Sequence, residues 1–188
     1  MDKEKELEKL KEEMMADRSL PLSSNLVFGE GSVNPKILFI GEAPGSEEDR
    51  LIRPFVGRSG KLLDKLIESL GWKRGEVYIT NIVKRRPPEN RDPLPEEIAL
   101  YKPYLTRQIE IIKPPLVATL GRFSMNYFLP EAKISQDQGK LFKVNGLYIY
   151  PLFHPAAALR SPEIMGGALK ESFSKIPAVI NKVEKGGL

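Results

Sequence analysis

Ile37-Leu38-Phe39-Ile40-Gly41-Glu42-Ala43-Pro44-Gly45 is an apolar run that stops at a turn bounded by glycines. A strand covered on both faces reads as such an unbroken run, whereas a half-exposed strand alternates. Residues 36–41 are therefore expected to form a fully buried strand. Runs of the same character stand at 77–82, 116–120 and 147–151. Segments of helical period separate some of them. Residues 59–70 carry Leu62, Leu63, Leu66, Ile67 and Leu70, and 95–112 opens Pro95-Glu96-Glu97, the chemistry of a helix start. A last helix is expected over 163–183. Strands alternating with helices form right-handed βαβ units. The chain is thus assigned to the α/β class, with a short four-stranded parallel sheet between helical layers.

The chain has 188 residues, 41% hydrophobic and 29% charged, with a net charge of +4. That size suits one domain over 1–188. Residues 2–15 read as a helix with Leu7, Leu10, Met14 and Met15 on a narrow apolar stripe, so 1–20 is taken as an N-terminal helix and docking segment. The mild positive balance is compatible with nucleic acid without requiring it. There is no cysteine. This excludes disulfides, thiolate nucleophiles and cysteine-held zinc or iron–sulfur centres. No apolar run approaches the roughly 18 residues of a membrane span. The charged start also lacks the apolar stretch of a signal peptide. A cytoplasmic protein with no metal is expected.

Open parallel sheets bind ligands beyond the carboxyl ends of their strands. Glu42-Ala43-Pro44-Gly45 follows the first run. The second ends in Asn81 and leads into Lys84-Arg85-Arg86-Pro87-Pro88. Gly121-Arg122 follows the third, and Phe153-His154-Pro155 the fourth. These groups are expected to converge on one edge. The turn after the first strand is no phosphate cradle: it lacks the GxGxxG and GK[ST] spacings, and Glu42, Glu47, Glu48 and Asp49 would repel an anion. Backbone N–H groups, the Asn81 amide, the Phe55 ring and the His154 imidazole instead suit a flat, neutral, polar heterocycle. Lys84, Arg85, Arg86, Arg91, Arg122 and Arg160 could hold a phosphodiester backbone around it.

The ordered set GEAPGSEED (41–49), RPFVGRSGKLLD (53–64), VYITNIVKRRPPENRDPLPEE (77–97), Leu120-Gly121 and FHPAAALR (153–160) resembles family 4 of the uracil-DNA glycosylase superfamily. The resemblance covers about residues 27–160. It implies a three-layer α/β/α sandwich and hydrolysis of the bond between uracil and deoxyribose in DNA, leaving an abasic site. It also implies a pocket lined by Gly41, Glu42 and Ala43, with Phe55 stacking on the base and Asn81 reading its edge. Glu48 would help close the side near the C5 edge. His154 would support catalysis, together with Glu42 and Asn90 of the family's Asn-Arg segment.

Each role has a physical basis. Extruding a base costs a few kcal/mol, and stacking on an aromatic ring returns roughly 1–3 kcal/mol. An amide can donate to uracil O4 and accept from N3–H, a pattern that cytosine reverses. A hydrogen bond from His154 to O2 would stabilise the departing base, typically by about 10²–10³ in rate. The best-known branch of the superfamily has an aspartate where this chain has Ala43. Glu42 is then the group that either orients water or braces the turn. Leu159 is expected to wedge into the duplex, with Arg160, Lys84 and Arg86 on phosphates.

The family holds an iron–sulfur cluster on four cysteines. Here those positions carry Arg85 and Tyr101, with Asp17 and Leu20 at the N-terminal pair, so no cluster is expected. An Asp17–Arg85 pair, packed beside Leu20 and Tyr101, is expected to fill the volume. The loop after Asn81 has no histidine, so a covalent trap of the kind found in a related branch is not expected. The anticipated partner is uracil-containing DNA, and the protein is expected to be a monomer. The rival reading is a catalytically weak or inactive relative that binds uracil or DNA.

Overall fold

The computed structural model describes residues 2–186. Its centre is a sheet in the order β1-β3-β2-β4-β6-β5. The strands are β1 (Glu30–Gly31), β2 (Leu38–Gly41), β3 (Tyr78–Asn81), β4 (Val117–Leu120), β5 (Phe142–Val144) and β6 (Leu147–Leu152). The four expected strands are β3, β2, β4 and β6, and they pair in parallel. Every residue of β2, β3 and β4 is buried, which is why those strands read as unbroken apolar runs.

The sheet is larger than expected because an antiparallel strand closes each edge. The two residues of β1 pair with β3, too short a stretch to show a period. At the other edge β5 and β6 form a hairpin. Its turn is Asn145-Gly146, both at positive φ. An Asn-Gly pair is a strong hairpin signal, but a search for buried apolar runs passes over it.

Alternate residues of the strands face two separate cores. Phe39, Ile79 and Ala118 pack against α3 (Arg58–Ser69), α8 (Gly167–Ser174) and α9 (Ile176–Glu184). Leu38, Ile40, Tyr78 and Val117 pack against α1 (Lys3–Ala16) and α4 (Pro95–Ile112). This is the three-layer arrangement. Helix α1 buries Leu7, Leu10 and Met14, while Met15 is exposed, so the stripe is narrower than expected. The Asp2 side chain caps its N-terminus. The expected last helix is broken into a π-type turn (Pro162–Gly166), α8 and α9. Pro177 in the first turn of α9 lacks an N–H, which favours a new helix start over continuation.

The remaining helices are short: α2 (Ser46–Leu51), α5 (Arg122–Phe128), α6 (Ile134–Asp137) and α7 (Pro155–Arg160). Three of them begin within five residues of a strand's carboxyl end, α2 after β2, α5 after β4 and α7 after β6. The chain moves from β2 to β3 on one side and then to β4 on the other. The crevice that such a reversal opens lies at the carboxyl edge of the sheet.

Candidate active site

A cavity of about 640 Å³ opens at that edge. Glu42, Ala43, Glu48, Phe55, Asn81, Asn90, His154 and Arg160 line it. Gly41, at the end of β2, lies between two of these side chains and has none of its own. A Cβ there would lie 2.5 Å from Asn81 Oδ1 and 2.6 Å from the Phe55 ring. The ring and the carboxamide therefore meet across a bare stretch of backbone. Phe55 also lies beside the imidazole, with ring centroids 5.7 Å apart and tilted by 31°.

Asn81 is 2% exposed, and its Oδ1 has no hydrogen-bond partner among the described residues. Leaving such an acceptor buried and unmatched costs about 1–3 kcal/mol. A ligand donor entering the cavity would recover that cost. His154 caps α7: its Nδ1 accepts from the Ala156 N–H at 3.0 Å. The proton of the neutral ring then stays on Nε2. Burial, helped by the Arg160 charge and opposed by Glu48, pushes its pKa down to about 4. The imidazole is a neutral donor at physiological pH.

Glu48 braces the wall. Its Oε1 accepts from Val56 N and Gly57 N, each at 3.0 Å. Glu42 behaves differently. Burial, followed by the charge and hydrogen bond of Asp92, pushes its pKa up to about 7, with Arg122 opposing. Asp92 is itself 3.7 Å from Arg122. Sequence reasoning missed Asp92 because it precedes Pro95-Glu96-Glu97 and reads as part of a helix start. Asn90 adopts a positive φ of 55° and accepts from Arg86 Nε at 2.6 Å.

The cationic rim is smaller than expected. Lys84, expected on DNA, is fully buried. Its Nζ donates to Thr80 Oγ1 and to Gln108 Oε1, so it belongs to the scaffold between β3 and α4. Arg85 turns to the N-terminal arm and donates to the Ser24 carbonyl. Arg91 is bound by Glu97 through two hydrogen bonds of 2.9 and 2.6 Å. Arg122 and Arg160 line the mouth, with Arg86 behind Asn90. Leu159, 38% exposed, stands next to Arg160 at the end of α7.

The family model for the uracil DNA glycosylase superfamily matches residues 28–176, which includes every one of these cavity residues. The chain belongs to that superfamily. Its relatives include the type-4 uracil-DNA glycosylase of Sulfurisphaera tokodaii, 44% identical over 90% of this chain and 83% of the relative. The type-4 uracil-DNA glycosylase of Saccharolobus solfataricus is 46% identical over 84% and 77%. That of Archaeoglobus fulgidus is 38% identical over 94% of each chain.

The four positions that would hold the cluster of this type-4 branch do not fit one. Tyr101 is fully buried and donates to the Pro21 carbonyl at 2.7 Å. Asp17 accepts from Ser19 N at 2.9 Å and from Tyr104 Oη at 2.6 Å. Leu20 packs into the core on the α1 and α4 side. A guanidinium, a phenol, a carboxylate and an alkyl chain offer iron none of the thiolates such clusters require. The expected Asp17–Arg85 ion pair is not formed among the described residues. Asp17 ends α1 and is satisfied locally by Ser19 and by Tyr104 of α4, while Arg85 donates to the Ser24 carbonyl. Tyr101 and Arg85 instead clamp main-chain carbonyls of the N-terminal arm.

Proposed function

We propose that this protein is a uracil-DNA glycosylase of base-excision repair, hydrolysing the N-glycosidic bond between uracil and deoxyribose in DNA. The observation that carries the proposal is the unmatched Asn81 Oδ1 facing the Phe55 ring across bare Gly41, beside a neutral His154, in one cavity. An extruded uracil stacks on Phe55. Asn81 Oδ1 accepts from its N3–H, and the amide donates to O4. His154 Nε2–H donates to O2 as negative charge develops on the departing base. The bond from C1′ to N1 breaks with both electrons going to uracil. Water adds at C1′, and Glu42 takes its proton. A group that titrates near 7 is matched to that task.

Arg122, Arg160 and Arg86 hold phosphates, and Leu159 fills the gap left in the stack. The protein acts as a monomeric, cytoplasmic single domain without an iron–sulfur cluster, its N-terminal arm clamped by Tyr101, Arg85 and Tyr104 instead. The test is incubation with a uracil-containing oligonucleotide followed by alkaline cleavage of abasic sites. Strand scission, slowed about 10²–10³-fold in His154→Ala, is expected. Retarded but uncut DNA would favour a binding relative. Binding should weaken steeply with salt, as phosphate contacts require.

A further inference from the structure

The residue that stacks is held in an uncommon conformation by a group outside the cavity. Phe55 has φ 50°, the left-handed region that a bulky side chain rarely occupies. Such a conformation persists only where its surroundings enforce it. Two grips enforce it here. On the pocket side, Glu48 Oε1 takes the N–H groups of Val56 and Gly57. On the far side, Arg74 Nη1 donates to the Phe55 carbonyl at 3.0 Å, and Nη2 donates to the Pro54 carbonyl.

We infer that Arg74 is a positioning residue that sets the Phe55 ring for stacking, an inference resting on the function proposed for the pocket. Arg74 does not line the cavity, and its side chain is 19% exposed. Its fork is fixed from three directions. Nη1 also donates to Asp64 Oδ1 on α3 at 2.7 Å, and Nε to Glu30 Oε1 on β1 at 3.0 Å. Asp64 and Glu30, the latter shared with Arg53, hold the guanidinium in place, so both nitrogens stay aimed at successive carbonyls. Gly60 lets α3 close over the same peptide: a Cβ there would lie 1.9 Å from the Phe55 carbonyl oxygen. Arg74 sits in the short turn Arg74–Glu76 that leads into β3, and β3 ends at Asn81. The ring that stacks on a base and the amide that reads its edge are thereby referenced to one stretch of chain. Lysine, a point donor, cannot span two carbonyls in this way.

The test is a double-mutant cycle. Single-turnover excision from a uracil duplex is measured for wild type, Arg74→Lys, Phe55→Ala and the combination, each with its melting temperature. Arg74→Lys is expected to slow excision about tenfold, since small misplacements near a reacting centre are costly. Added to Phe55→Ala, it is expected to change the rate less than about twofold, because no ring remains to be placed. An Arg74→Lys rate within about twofold of wild type would overturn the inference. So would equal fractional losses in both backgrounds, the pattern of a general loss of stability.

Where Arg74→Lys does not fold, Asp64→Asn loosens Arg74 in place and is read by the same criteria. Aromatic NMR of the free protein adds a readout that needs no activity. The Phe55 ring signals are expected to shift or broaden in Arg74→Lys. Those of Phe39 and Phe173, stacked at 5.5 Å in the core, should stay. Unmoved Phe55 signals would overturn the inference on their own. A wild type that excises nothing would instead overturn the pocket reading, leaving the NMR result to decide on Arg74.

Discussion

Asn81 and Lys84 lie on one connection and are both buried, yet the fold treats them oppositely. Asn81 keeps an unmatched carboxamide oxygen at the cavity floor. Lys84 is enclosed, with Thr80 and Gln108 as partners, and Gln108 is tied in turn to the Phe28 carbonyl and Tyr78 hydroxyl. A buried polar group with its bonds made belongs to the scaffold. One left without them, beside a cavity, belongs to the chemistry. The contrast extends to the surrounding regions. Three polar groups at the pocket are unpaired or shifted in pKa, namely Asn81, Glu42 and His154. Those under the N-terminal arm (Tyr101, Asp17, Arg85) are each spent on a hydrogen bond. Substitutions on the first side should change rate and leave stability nearly intact. Those on the second should do the reverse.

The largest effect is expected from His154→Ala, a loss of about 10²–10³ in single-turnover excision with little change in melting temperature. The imidazole is already neutral above its pKa of about 4, so it should leave no ionisation limb between about pH 5 and 8. A collapse in stability comparable with the loss in rate would place His154 with the scaffold.

Glu42→Gln sharpens the same side. Under the proposed function ionised Glu42 takes the water's proton, so the wild-type rate should rise with pH up to about 7 and then level. Glu42→Gln should be slower and lack that limb. A limb that survives the substitution would assign it elsewhere.

On the scaffold side, Tyr101→Phe removes the bond to the Pro21 carbonyl. It should lower stability by about 1 kcal/mol in denaturant titration, with excision unchanged. A stability effect that depends on pH is expected from Lys84→Met. Burial holds the lysine pKa well below its ordinary value. The unfolded chain therefore binds a proton that the folded protein refuses, and stability falls as pH drops below the ordinary lysine range toward the folded value. Lys84→Met lacks this term. Its stability relative to wild type should rise steadily as pH is lowered from about 10 to 7, and a pH-independent difference would contradict the burial.

Much of the fold is legible in the sequence because both-face burial writes an unambiguous pattern, as in Ile37-Leu38-Phe39-Ile40. The two-residue β1 has no pattern to write, and the break before α9 turns on Pro177 alone. Gly41, Asn81 and His154 are legible because they stand at or just beyond the carboxyl ends of buried runs, and Phe55 because it falls within the ordered motifs. Lys84 misleads because a lysine heading Lys84-Arg85-Arg86 reads as solvent-facing. Only closure by Gln108, contributed from α4, shows otherwise. Asp92 and Arg74 act through three-dimensional neighbours, Glu42 and the Phe55 carbonyl, that no local spacing reveals.

The most direct test of the site is single-turnover excision of uracil by wild type and Asn81→Ala, with affinity for undamaged duplex measured alongside. The expected result is rapid excision by wild type, a loss of at least about a hundredfold in Asn81→Ala, and equal affinity for undamaged DNA. Excision by Asn81→Ala at the wild-type rate would show that the unmatched carboxamide does not read the base.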